Sequence, residues 1–234
     1  MSTTLPEGWV RADLHCHTAY SKDSLTPLEA VIRACQRKGI HRVAITGHNT
    51  IEGALRLRDL APELAIVGEE IKTTYGEVQA FFIEEHVPPG LSPEETIARI
   101  REQGGIVGVP HPLDPTRGEA MGEENLRRIV HLLDCIEVFN ARTTFAVHNR
   151  RAAEFARQHG LPGTAGSDAH TALEIGRACV EMPAFDSSAS FLEALARGRV
   201  VGRESLPLVH LFSRYATFRK RLKACLQRTT RSRY

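Results

Sequence analysis

The run Asp13-Leu14-His15-Cys16-His17-Thr18 holds the first residues able to do chemistry. On a β-strand, residues two apart point to one face, so His15 and His17 can meet a single ion. Leu14 and Cys16 then face a packed layer. Two imidazoles and a nearby carboxylate suit a borderline transition metal such as zinc, manganese or iron. Among eleven histidines, however, an H-x-H triplet fits two surface histidines on an edge strand equally well. Later strand ends change that balance. His48 ends one, Glu70 the next, His111 follows another, and Asp168 with His170 repeats the spacing of two. Glu70 is long enough to bridge two cations, and Asp23 can reach a further ion. Asn49 and Asn140, as amides, support ligands or donate to substrate.

These residues need elements that bring them to one place. Thr26 reads as a helix N-cap, with Pro27 at the first helical position, Glu29 completing a capping box, and Gly39 as the stop. Ser92-Pro93-Glu94-Glu95 opens another helix. Between the helices lie short apolar strands such as Arg42-Val43-Ala44-Ile45-Thr46 and Ile106-Val107-Gly108-Val109. This alternation predicts an α/β fold with a parallel sheet covered by helices. About seven strands in one domain favour a barrel, whose strand C-termini share one face.

At 234 residues the chain can bury a substantial core, and its apolar and charged fractions, 42% and 25%, are ordinary for a soluble globular protein. No stretch has the apolar length of a membrane span, and Met1-Ser2-Thr3-Thr4-Leu5-Pro6 lacks a signal-peptide core. Five cysteines without C-x-x-C spacing do not read as a disulfide framework; Cys16, Cys35, Cys135 and Cys179 read as small buried hydrophobes, and a reducing, cytoplasmic setting is expected. The overall charge of +2 is uneven: residues 214–234 carry eight Lys or Arg and no acid, leaving a body of net −6. In this tail Leu211, Tyr215, Phe218, Leu222 and Cys225 recur at helical spacing, with Lys220, Arg221, Lys223 and Arg228 largely off that stripe. One reading docks the stripe on the body. The other makes the tail a basic amphipathic segment that holds nucleic acid or an anionic surface.

In order along the chain, Asp-Leu-His-Cys-His-Thr, Thr-Gly-His-Asn, Gly-Glu-Glu, Pro-His-Pro and Ser-Asp-Ala-His resemble the motifs of the PHP (polymerase and histidinol phosphatase) family. The resemblance covers most of residues 11–203, leaving 204–234 as a basic, helical tail. It implies a distorted (β/α)7 TIM-like barrel as a single domain, two or three divalent metals (Mn, Zn or Fe), and phosphoester hydrolysis. Carried over position by position, His15, His17, Glu70 and Asp168 hold the first metal. Glu70 bridges to a second, bound by His111, and Asp23, His48 and His170 hold a third. The chain departs from the family pattern at Gly47, where Asp is usual, and in Glu77-Val78-Gln79-Ala80, where many members have a ligating His. Asp23 also stands one residue later than the commonest acidic position.

The expected reaction is attack of a metal-bridging hydroxide on a phosphomonoester of a small metabolite or nucleotide, for example a nucleoside 3′,5′-bisphosphate. Asp168, His170 and Glu70 are the catalytic candidates, Asp168 as proton acceptor and His170 assisting the leaving oxygen. Arg117, Arg142, Arg177 and Asn140 are candidate substrate contacts, the arginines as guanidinium forks for phosphate. Trimming of RNA or DNA ends, amidohydrolase-like C–N cleavage and a non-catalytic metal-binding module are the alternatives.

Overall fold

The computed structural model describes residues 5–231; residues 1–4 and 232–234, the ends of the N-terminal run and the basic tail, lie outside it. The element order is β1 (Trp9–Cys16), α1 (Leu28–Lys38), β2 (Arg42–His48), α2 (Glu52–Leu60), β3 (Ala65–Thr73), β4 (Gly76–Phe81), α3 (Pro93–Glu102), β5 (Ile106–Gly108), α4 (Glu123–Ile129), β6 (Ile136–Asn140), α5 (Ala146–His159), β7 (Gly163–Gly166), β8 (Ala178–Pro183), α6 (Ser188–Ala196), β9 (Arg199–Gly202) and α7 (Val209–Arg231). A seven-stranded sheet runs β5-β4-β3-β2-β1-β8-β9, and β6 pairs with β7 in a second, two-stranded sheet. The two sheets touch at both ends. Asp134 and Cys135 donate backbone N–H to Val107 O, and His17 N–H reaches Ala169 O at 2.9 Å. The result is a curled α/β sheet, a half-barrel.

This corrects the expected all-parallel ring of seven β/α units. β1, β2 and β3 are parallel, but β4, β8 and β9 each run antiparallel to a neighbour. The reason is local. Thr74 and Tyr75 close a hairpin between β3 and β4, which leaves no room for a crossover helix. Gly76 carries φ +116°, and a Cβ there would meet the Met121 backbone at 2.7 Å, so the turn needs glycine.

Helix signals fared unevenly. Ser92 and Glu95 form the expected reciprocal capping box, and Gly39 ends α1 in the left-handed conformation. Thr26, by contrast, is not the cap of α1. Its hydroxyl donates to His170 O at 2.9 Å, tying the start of the helix to the loop after β7. Inside the curl, Leu14, Ile66, Phe81, Met182 and Phe191 pack together beneath the strand ends. Each large side chain fully buried there contributes about 1.5–3 kcal/mol.

The tail helix docks, but not by the expected stripe. Leu211, Tyr215, Phe218, Leu222 and Cys225 are exposed, while Ala216 is buried and Ser213, Thr217 and Lys220 are half-buried. The surface beneath is polar. Arg142 Nη2 donates to Val209 O (3.2 Å) and Ser213 Oγ (2.9 Å), and Lys220 Nζ donates to Ala19 O (2.6 Å) and Ser21 O. A face that meets carbonyls and a guanidinium must itself be polar or small. The Arg228 side chain lies outside the described residues. No helix among the described residues is long and apolar enough to cross a membrane.

Candidate metal centre

The ladder between β1 and β2 shifts register between Asp13 and Cys16, so an extra residue is inserted at Leu14-His15. Such a bulge re-aims side chains beside a site. Leu14 therefore packs inside the curl and Cys16 in the outer layer, not in one shared layer, while His15 and His17 both reach the strand-end centre. Space at this point is tight. A Cβ on Gly166 would lie 2.2 Å from His15 Cβ, so only glycine lets the end of β7 pass. Three other residues at the rim, Asn49 (φ +52°), His111 (φ +28°) and Asp168 (φ +51°), hold left-handed backbone. Strain of this kind costs about 1–3 kcal/mol per residue and gathers at functional sites.

The eight expected ligands are brought together. His15 Nε2 and His17 Nε2 stand 3.1 Å apart, both aimed at Glu70 Oε2 (3.3 and 3.4 Å) and Asp168 Oδ1 (3.8 and 3.2 Å). Glu70 turns its other oxygen to His111 Nε2 at 3.0 Å. Asp23 Oδ2 lies 3.1 Å from His48 Nε2 and 2.9 Å from His170 Nε2, so the intervening Lys22 does not displace it. Among the described residues, His17-Asp23-His48-His170, His15-Glu70-His111 and His15-His17-Asp168 each converge as a possible ligand group. Imidazole nitrogens facing each other beside buried carboxylates are the donor set of a borderline divalent cation, so these residues fit such a group.

The electrostatics favour ligation at Glu70, Asp168 and His17, whereas the surrounding carboxylates favour protonated His15 and His48. Burial pushes the Glu70 and Asp168 carboxyls up, yet both are held well below the usual range, Glu70 by His48 and His15 and Asp168 by Arg117 and His15. His17 is driven down to about 3 by burial and then by His170 and His48, which leaves it neutral and able to ligate. Burial opposes protonation of His48, but Glu70, Asp23 and Glu77 carry its pKa up to about 10.

Two residues at the centre escaped sequence reasoning. Glu137 accepts from His15 Nδ1 (3.1 Å), His111 N (2.6 Å) and Asn140 Nδ2 (3.0 Å), fixing the tautomer that aims His15 Nε2 inward. The signal was an acid inside the apolar strand Cys135-Ile136-Glu137-Val138-Phe139. Glu77, on β4, is buried within reach of His48 and Glu70. Its signal was polar alternation at Glu77 and Gln79.

The candidate substrate contacts separate. Arg117 Nη2 pairs with Asp168 Oδ2 and donates to Asn140 Oδ1 (3.2 Å), so it stands in the centre. Asn140 is buried and spends its amide on Glu137 and Asp168, and Asn49 Oδ1 accepts from Lys72 N. Arg142 is buried and committed to α7 and Glu174. Arg177 lies apart, in a cleft with Arg11, Lys38 and Arg203, and donates to Glu204 O.

The strand ends of this curled α/β sheet thus carry a buried carboxylate–imidazole cluster with the donor set for divalent cations. The chain matches the family model described as PHP domain over residues 13–105, and that described as PHP-associated over 147–200. An uncharacterized protein of Methanocaldococcus jannaschii is 43% identical over 146 residues, covering 56% of this chain and 82% of that protein. A second from the same organism is 35% identical over 175 residues, covering 74% and 70%. In fold, the chain is similar to a two-domain protein from Bacteroides vulgatus containing a predicted PHP-like metal-dependent phosphoesterase, with TM-score 0.71 and 19% identity over 86% of this chain and 68% of that one. The chain belongs to the PHP family.

Proposed function

We propose that this chain is a hydrolase that releases phosphate from a phosphomonoester of a small metabolite or nucleotide, with residues 11–203 as the catalytic unit. The observation that carries this reading is the convergence of Glu70, Asp168 and five histidines on one largely buried centre, with Arg117 beside them. His15, His17, Asp23, His48, Glu70, His111, Asp168 and His170 would hold two or three divalent ions (Mn, Zn or Fe), which when bound would supply a water of pKa about 7 and neutralise phosphoryl oxygens.

The protein's own residues do the rest. Asp168, held ionised, accepts the proton of the attacking water. Arg117 binds the phosphoryl group; its guanidinium already stands on Asp168, and Nε has no partner among the described residues. His170 has Nδ1 on Asp168 O (2.8 Å) and Nε2 on Asp23 (2.9 Å). Nδ1 on that carbonyl orients Nε2 toward the ion it would share with Asp23, and the same ring is the proposed aid to the leaving oxygen.

Substrate size follows from α7. Asp23 shares a cleft with Ser213, Arg214, Thr217, Phe218 and Arg221 of that helix. A cleft roofed by a helix and lined by two arginines favours a compact ligand with a second anionic group, such as a nucleoside 3′,5′-bisphosphate, over an internal phosphodiester. The test is kcat/KM for a nucleoside bisphosphate, histidinol phosphate and a short 5′-phosphorylated RNA. The RNA is expected to be the poorest of the three. A preference for RNA above about tenfold, roughly 1.4 kcal/mol of transition-state discrimination, would make the chain an exonuclease instead.

A further inference from the structure

The eight ligands implied by family resemblance leave the second metal position with only Glu70 and His111. We infer that Glu77 completes it, making a site of two carboxylates and one imidazole whose preference for Zn²⁺ over Mn²⁺ is narrower than that of a histidine-rich site. This rests on the metal-centre reading above. Across the β3–β4 hairpin, Glu77 pairs with Lys72 and Gln79 with Glu70. Glu77 and Gln79 point to the same face of β4. Gln79, directly opposite Glu70, spends its amide on Leu14 O at 3.3 Å. Glu77 is therefore the carboxylate that β4 offers to the centre.

Its surroundings do not suit a purely structural acid. Glu77 is 3% exposed, and among the described residues its ion-pair partners are His48 and His111, with no Lys or Arg. Oε1 stands 3.3 Å from His48 Nδ1, a buried atom with no hydrogen-bond partner, and Oε2 stands 3.9 Å from His111 Nε2. Glu70 Oε1 stands 3.0 Å from the same His111 nitrogen, and Glu77 converges with Glu70 and His48 as a candidate ligand group. Oε2 is thus free for an ion shared with Glu70 and His111, while Oε1 faces the His48 ring.

One side chain in this way bears on two of the three departures from the family pattern. Gly47 cannot orient His48 as an Asp would, and an Asp there would press its Cβ to 3.0 Å from Thr50. Where many members of the family have a ligating histidine on this strand, this chain offers the Glu77 carboxylate. Zn²⁺ binds a given site more tightly than Mn²⁺, but carboxylates narrow that gap and imidazoles widen it.

The experiment loads chelator-stripped protein with MnCl₂ or ZnCl₂ and reads bound metal by elemental analysis and affinity by calorimetry, for wild type, Glu77→Gln and Glu77→His. Wild type should bind at least two Mn²⁺ per chain. Glu77→Gln should lose one, or bind it about 10–100-fold more weakly, with a metal-free Tm no lower than wild type. Glu77→His should restore the lost site and raise its Zn²⁺-to-Mn²⁺ affinity ratio by about tenfold over wild type. Unchanged Mn²⁺ stoichiometry and affinity in Glu77→Gln overturns the assignment. If that variant does not fold, unchanged metal preference in Glu77→His overturns it equally. Wild type binding fewer than two ions refutes the metal-centre reading instead.

Discussion

Replacing Glu70 by glutamine is expected to remove at least one bound metal per chain and to cut phosphate release by about 10³-fold or more, some 4 kcal/mol of transition-state stabilisation. The size of the effect follows from position. One Glu70 oxygen faces His15, His17 and His48 at 3.3, 3.4 and 3.1 Å, and the other faces His111 at 3.0 Å. No other side chain among the described residues joins those groups. The substitution keeps the side chain's shape and removes its charge, so the fold should hold, as circular dichroism would verify. Metal content and kcat measured on one preparation check the result. A Glu70→Gln protein with full metal and full turnover would mean that the ions are held, or the chemistry done, elsewhere.

Arg142→Ala is expected to cost about 3–5 kcal/mol of folding stability, the loss typical when one partner of a buried ion pair is removed. Arg142 Nε lies 3.6 Å from Glu174 Oε1, with both side chains nearly inaccessible. Its Nη atoms serve Asp168 O, Val209 O and Ser213 Oγ, so the loss also unpins α7. Urea unfolding should show a lower midpoint at unchanged slope, and backbone amides of α7 should exchange faster. If stability stays within about 0.5 kcal/mol and only KM rises, the guanidinium serves substrate, as its motif position suggests, and not the fold.

The two substitutions mark how far the sequence could be read. A spacing of two singled out His15 with His17 and Asp168 with His170, but a bulge in β1 and a left-handed Asp168 beyond the end of β7, rather than regular strand alternation, bring them to the centre. The order of strand ends then gathered Glu70, His48 and His111. Reading failed where the decisive contact is distant or the polarity runs against expectation. Thr26 has the form of a helix cap, yet its hydroxyl is drawn to His170 O, a partner 144 residues away. β4 looks like any short strand, and only its two-residue turn shows that it returns antiparallel. Glu137 and Glu77 passed as ordinary polar residues because nothing local says that a strand acid will be buried against histidines. The tail shows the reverse error. An apolar stripe at helical spacing suggests docking, but the surface awaiting α7 is made of carbonyls and Arg142, so the polar face goes down and Leu211, Tyr215 and Phe218 stay out.

The central claim is that a metal cluster at the strand ends performs phosphoester hydrolysis. The most direct test measures metal content and phosphate release on one sample as purified, after chelation, and after reloading with Mn²⁺. The account predicts at least two ions per chain at the outset, no release above background once they are stripped, and recovery on reloading. Phosphate release that survives complete removal of metal, or a fully folded protein that takes up no ion, would contradict it.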